Sequence, residues 1–167
     1  MNTSIYQDIA TRTDGDIYVG VVGPVRTGKS TFIKRFMETL VIPNIDNVYL
    51  KERAKDELPQ SGSGRTIMTA EPKFVPEEAV QITLGEDAVL SVRLIDCVGY
   101  MVPGASGRFE NGEERMVTTP WFDHEISMTE AAEKGTYKVI AEHSTIGLVI
   151  TTDGSVCDIP REDYAEP

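Results

Sequence analysis

Gly23-Pro24-Val25-Arg26-Thr27-Gly28-Lys29-Ser30 spells G-x-x-x-x-G-K-S, the phosphate-binding P-loop pattern, and it decides the fold. An apolar run, Ile17-Tyr18-Val19-Gly20-Val21-Val22, precedes it and reads as a buried strand; Thr31-Phe32-Ile33-Lys34-Arg35-Phe36-Met37 follows it and reads as a helix. Strand, glycine-rich loop and helix in that order are the context the pattern requires. Gly23 and Gly28 let the backbone curl until successive N–H groups point at one place, where phosphate oxygens bind. The positive end of the helix dipole, opening at Thr31, reinforces that place. Lys29 is expected to reach the β- and γ-phosphates, and the Ser30 hydroxyl to take one position on Mg²⁺. Residues 23–31 are therefore the expected nucleotide cradle, with Pro24, Val25 and Thr27 contributing backbone. Arg26, inside the loop, suits a phosphate contact and a pairing with a nearby carboxylate equally well. The expected ligand is a nucleoside triphosphate with Mg²⁺.

Working outward, the helix is expected from about Thr31 to Leu40, with Pro43 as its stop. Lys51 to Leu58 forms a short charged helical pattern, and Pro59-Gln60-Ser61-Gly62-Ser63-Gly64 reads as loop. Val80-Gln81-Ile82-Thr83-Leu84 and Val89-Leu90-Ser91-Val92-Arg93-Leu94-Ile95 alternate as strands around Gly85-Glu86-Asp87-Ala88, a hairpin signal. The second of these ends in Asp96-Cys97-Val98-Gly99. Alone, D-x-x-G describes any turn after a strand. After a P-loop and a hairpin it places a carboxylate for Mg²⁺ at Asp96 and a γ-phosphate-facing backbone N–H at Gly99.

Residues 100–127 are rich in glycine, proline and charge (Pro103, Gly104, Gly107, Gly112), which predicts a long loop or small insertion, with Trp121-Phe122 as a packed anchor. Residues 44–66 are a second insertion. Ser127-x-x-Glu130 is a capping-box pattern that opens a helix over about Met128 to His143. Thr145-Ile146-Gly147-Leu148-Val149-Ile150-Thr151 reads as a strand buried on both faces. The expected fold is α/β: a three-layer P-loop NTPase with a mostly parallel sheet, one antiparallel hairpin strand and GTPase-like topology. The element order fills one domain over 1–167 and stops early, so the chain is expected to be the N-terminal piece of a longer protein.

Composition narrows the partners. A net charge of −11 over 167 residues excludes nucleic acid held through its phosphates, and a bare electrostatic grip on an anionic membrane. The cations that would meet a polyanion, Arg26, Lys29, Lys34 and Arg35, gather at the P-loop. Cys97 and Cys157 are the two cysteines and lack ligand spacing, which suits a reducing compartment; Cys97 reads as packing. His124 and His143 stand alone and read as structural. No apolar run approaches membrane-spanning length, and the N-terminus has no signal-peptide pattern.

The motif order resembles the translation-factor-related GTPase class. Within it, longer stretches resemble the stage IV sporulation protein A family, spore-coat morphogenetic ATPases of endospore-forming bacteria. Those stretches are residues 22–34, Asp56-Glu57-Leu58-Pro59-Gln60-Ser61, residues 66–76 from Thr66 to Pro76, Leu94-Ile95-Asp96-Cys97-Val98-Gly99-Tyr100, and Glu142-His143-Ser144-Thr145-Ile146-Gly147. The resemblance implies ATP rather than GTP, and hydrolysis that drives self-assembly of a coat-basement layer at the forespore surface, in the mother-cell cytoplasm. It implies partners as well: other coat morphogenetic proteins and a small membrane-bound anchor peptide, met through regions beyond this chain. Carried onto this sequence, Lys29 and Ser30 are the P-loop residues, Asp96 is the Walker B aspartate, and Thr69 is the sensor threonine on the γ-phosphate and metal, with Thr66 its rival.

Two departures from the wider class stand out. Tyr100 occupies the position after Gly99 where Ras-like enzymes place a water-orienting glutamine, so water must be oriented by another group, such as Thr69, or turnover is slow. N-K-x-D, the guanine-reading motif, does not occur in the 167 residues. Three functions remain in view: an ATPase whose hydrolysis releases the loops around 60–70 and 100–127, a nucleotide-binding scaffold without useful turnover, and a GTPase switch. A small-molecule kinase fits the D-x-x-G and hairpin order poorly.

Overall fold

The computed structural model describes residues 10–59, 71–85, 88–102 and 108–151. The expected loop at 60–64, Thr66, Thr69, Glu86-Asp87, Pro103, Gly104, Gly107 and Cys157 lie outside these residues.

A four-stranded sheet organises the chain. β1 (Asp16–Val22) pairs in parallel with β3 (Ala88–Asp96) on one side and with β8 (Ile146–Val149) on the other. β2 (Lys73–Leu84) is antiparallel to β3, the expected hairpin. The sheet alternates as a two-faced strand pattern demands. From β1 and β3, Val19, Val21, Leu90, Val92 and Leu94 point to one face. Val22, Ile95 and Cys97 point to the other. The first face is covered by α1 (Lys29–Phe36) through Ile33 and its continuation through Met37 and Val41, and by Ala54 of α2 (Val48–Asp56). The second is covered by Val139, at the end of α3 (Met128–Lys138). Helices on both faces of a mostly parallel sheet make the three-layer α/β arrangement expected from the sequence.

Several boundaries differ from the sequence reading. Pro43 does not stop the first helix: α1 widens into a π-helical turn over Met37–Val41 and closes in a tight turn over Ile42–Asn44, with Pro43 in its first positions. A first-turn proline gives up an N–H that no helical carbonyl needs. α2 starts at Val48 because the Asn47 side chain accepts from the N–H groups of Tyr49 and Leu50. β2 begins seven residues before Val80. Pro76 and Glu77-Glu78 hide this part by breaking the alternation, and the pairing register shifts between Val75 and Val80. As the outer strand, β2 tolerates a proline there.

The strand over 145–151 is corrected: β8 is the other outer strand among the described residues, with Ile146 44% and Val149 61% exposed rather than buried on both faces. The 108–127 region is not plain loop. It holds two small hairpins, β4 (Phe109–Glu110) with β5 (Glu113–Glu114) and β6 (Met116–Val117) with β7 (Ile126–Ser127). Phe122 packs with Ile126 and Ala131, the anchor expected for it. No helix among the described residues is long and apolar enough to cross a membrane.

Candidate nucleotide site

The carboxyl end of β1 is held from both sides. Cys97 N–H donates to the Val21 carbonyl (3.3 Å), and Ile150 N–H donates to the Val22 carbonyl (2.8 Å). The chain then leaves the sheet into the P-loop. Arg26 and Gly28 both adopt left-handed backbone, with φ of 60° and 89°. Glycine takes that conformation freely, whereas arginine accepts it only under the constraint of the loop. Thr27 Oγ1 donates to the Pro24 carbonyl at 2.9 Å, which closes the turn on itself.

α1 then begins with no side-chain cap and no acidic residue in its first turn. Its leading N–H groups thus point, with the positive end of the dipole, into a cavity of about 310 Å³. Residues 25–31 form one wall. Glu71, Lys73 and Asp96 through Gly99 form the other.

Lys29 is 6% exposed, and its ammonium donates to the Pro24 carbonyl at 2.6 Å. An ammonium has three protons to donate, so this bond fixes the side chain and leaves two for a ligand. Burial pulls its pKa below the ordinary lysine value, against the charge of Asp96. Ser30 and Asp96 stand 66 residues apart in sequence, yet the Ser30 hydroxyl donates to Asp96 Oδ2 at 2.6 Å.

Burial raises the Asp96 pKa, opposed by the Ser30 bond and by the Lys29 and Lys73 charges. A desolvated carboxylate oxygen beside a hydroxyl, with burial outweighing its partners, is the donor pair that a hard divalent cation takes. Among the described residues no three His, Cys, Asp or Glu groups converge as a metal cage. The fit is to a cation whose remaining ligands are phosphate oxygens and water. Cys97 is inert, as expected: it is buried beside Thr136, and burial pushes its thiol up to about 11.

Gly99 is required by space. A Cβ there would come within 2.5 Å of the Val25 backbone and 2.7 Å of Lys29 Nζ. The next residue, Tyr100, accepts a hydrogen bond from Val25 N–H through its carbonyl (3.2 Å) and forms a parallel bridge with Pro24. The D-x-x-G segment is thereby laced to the P-loop. Of the expected site residues, 25–31, Asp96 and Gly99 line one cavity; Pro24 supports it as the carbonyl that accepts from Thr27 and Lys29, Gly23 lies outside the lining, and Thr69 falls outside the described residues. Arg26 is exposed and makes no ion pair among the described residues. Glu71 and Lys73 were missed as site residues. The sequence offered a weak signal, the closeness of both to Thr69.

The family described as "Stage IV sporulation protein A, ATPase domain" matches residues 1–167. The chain belongs to that family. Proteins named stage IV sporulation protein A from Clostridioides difficile (strain 630), Bacillus anthracis and Bacillus subtilis (strain 168) are 61%, 63% and 60% identical to it. The alignments cover 100%, 97% and 97% of this chain, but 34%, 33% and 33% of those proteins. The chain thus spans about a third of the length of these family relatives. No solved structure matches it. Membership of an ATPase-domain family accords with a nucleotide in the cavity described above.

Proposed function

We propose that this chain is a Mg²⁺-dependent ATPase whose hydrolysis of ATP to ADP and phosphate drives self-assembly of a spore-coat basement layer. The observation that carries the catalytic half is the Ser30–Asp96 bond at the mouth of a P-loop whose lysine is already buried and oriented. The assembly half is supported by family membership and by the sporulation name of the relatives.

In this reading the P-loop amides and the two free Lys29 protons hold the β- and γ-phosphates. Ser30 and Asp96 would hold Mg²⁺, which would neutralise phosphate charge there. The Gly99 N–H faces the γ-phosphate. Thr69, assigned on resemblance, senses the γ-phosphate and contributes to the metal. Water attacks in line, and the bond from the γ-phosphorus to the bridging oxygen breaks. Tyr100 cannot serve as the water-orienting glutamine, since a phenol offers a single hydroxyl where a carboxamide carries separate donor and acceptor groups. Another group, such as Thr69, then orients the water, or turnover is slow. We place the protein in the mother-cell cytoplasm at the forespore surface. Its other proposed partners are further coat morphogenetic proteins and a small membrane-bound anchor peptide.

Phosphate release is the test, with ATP and GTP supplied separately. ATP is expected to be hydrolysed in preference to GTP. Lys29→Ala should lower the rate at least ~100-fold, as removal of a key charge-stabilising donor does. Native protein that binds ATP but releases no phosphate would establish the scaffold reading instead, and equal turnover of GTP would establish a GTPase switch.

A further inference from the structure

We infer that Lys73 is a second cation of this site, stabilising charge on the γ-phosphoryl group as it transfers to water. The inference rests on the ATPase reading above and adds a residue to it.

Topology places Lys73 on the Asp96 side of the P-loop. The P-loop leaves β1, and Asp96 ends the neighbouring β3. Lys73 opens β2, one strand further out, and its Cα pairs directly with that of Asp96. It therefore lies on the opposite side of the P-loop from β8, beyond the carboxylate that would hold the metal. Lys73 lines the same cavity as Lys29, Ser30, Asp96 and Gly99. The two lysines are the cations whose charge bears on Asp96. The Lys73 side chain is exposed and makes no ion pair or hydrogen bond among the described residues. Glu71 lines the same cavity.

The chemistry calls for such a group. The transition state is loose, with negative charge spread over the γ-phosphoryl oxygens and growing on the leaving oxygen. Positioning water with glutamine is not open to this chain, because Tyr100 stands there. Charge stabilisation is a separate lever, and a cation supplied in this way by an arginine finger is worth ~10³–10⁵ in rate. Lysine is a point charge on a flexible stem without the bidentate fork, so a smaller factor is expected.

The experiment compares Lys73→Gln, Lys73→Met and Lys73→Arg with the native chain. It measures kcat and KM for Mg-ATP, and by calorimetry the affinities for ADP and for ADP with aluminium fluoride, a mimic of the transferring phosphoryl group. Lys73→Gln and Lys73→Met should lower kcat roughly 10- to 100-fold, below the arginine-finger range, with KM changed less than about threefold. They should weaken ADP–aluminium fluoride binding by a similar factor while leaving ADP binding unchanged, and Lys73→Arg should restore most of both.

A kcat within about twofold of native overturns the inference. So does equal weakening of ADP and ADP–aluminium fluoride, which marks plain ground-state attraction. Should Lys73→Gln unfold, Lys73→Met, which keeps the stem, carries the same readouts. A native chain that neither hydrolyses ATP nor binds ADP–aluminium fluoride sinks the ATPase reading itself. A native chain that does both beside unaltered Lys73 variants sinks only the role of Lys73.

Discussion

The helices α1, α2 and α3 begin in two different ways. α2 and α3 are closed: Asn47 accepts from two backbone N–H groups of its first turn, and Ser127 accepts from Glu130 N–H at 3.1 Å. α3 also carries the acidic Glu130 in its first turn. α1 is open. It starts at a left-handed glycine, with no capping side chain and no acidic residue in its first turn, and its end faces the cavity. A helix start that satisfies its own donors is built for stability, whereas one that leaves them aimed at a cavity is built for an anion. The difference lies in the residue before the helix: a side-chain oxygen in two cases, and Gly28 in the third.

The contrast breaks most severely if the mouth of α1 is filled. Gly99→Ala drives a Cβ into the Val25 backbone and toward Lys29 Nζ. We expect ATP affinity to fall by more than tenfold, and stability by about 1–3 kcal/mol as for other overpacked positions. Calorimetric titration with ATP and urea unfolding measure the two effects, and unchanged ATP affinity would show that the D-x-x-G turn does not shape the phosphate site.

Opening a closed helix should do the reverse. Ser127→Ala or Asn47→Ala should each cost about 1 kcal/mol, read as a lower urea midpoint with unchanged slope. ATP affinity should stay at the native value, and a drop would mean that the closed helices also serve the site.

The smallest effect belongs to a pair at the far end of α3, where half-buried Lys138 Nζ reaches exposed Glu142, just beyond the helix, at 2.9 Å. The bond to Lys138 lowers the pKa of Glu142. A lowered carboxylate pKa means stability present above the unfolded value and lost as pH falls through the folded one. Glu142→Gln should therefore melt slightly below the native protein at neutral pH and together with it in acid. A difference that persists in acid would assign the effect to packing.

How far the sequence could be read follows from the range of each interaction. The P-loop, the Ser127 cap and the β2–β3 hairpin were legible because each is made by residues close together in the chain. The first half of β2 was not: Pro76 and the Glu77-Glu78 pair obscure a strand whose place is set by pairing with β3. β8 misled for the opposite reason. Its β-branched, apolar composition matches a central strand, but burial depends on what lies on either side, and among the described residues β1 alone pairs with it. In the site, Asp96 could be singled out because D-x-x-G has a spacing, while Glu71 and Lys73 have no motif of their own.

By itself the sequence determined the phosphate grip. Two glycines, a lysine and a serine at fixed spacing set the backbone turns and the helix start, and those depend on neighbours a few residues away. The tertiary structure decided which groups meet there. Parallel pairing of β1 with β3 carries Asp96 to Ser30 across 66 residues, and the β2–β3 register sets Lys73 opposite Asp96. Register is the outcome of packing summed along whole strands, and a one-residue slip would turn every side chain to the other face. No short stretch of chain contains that information.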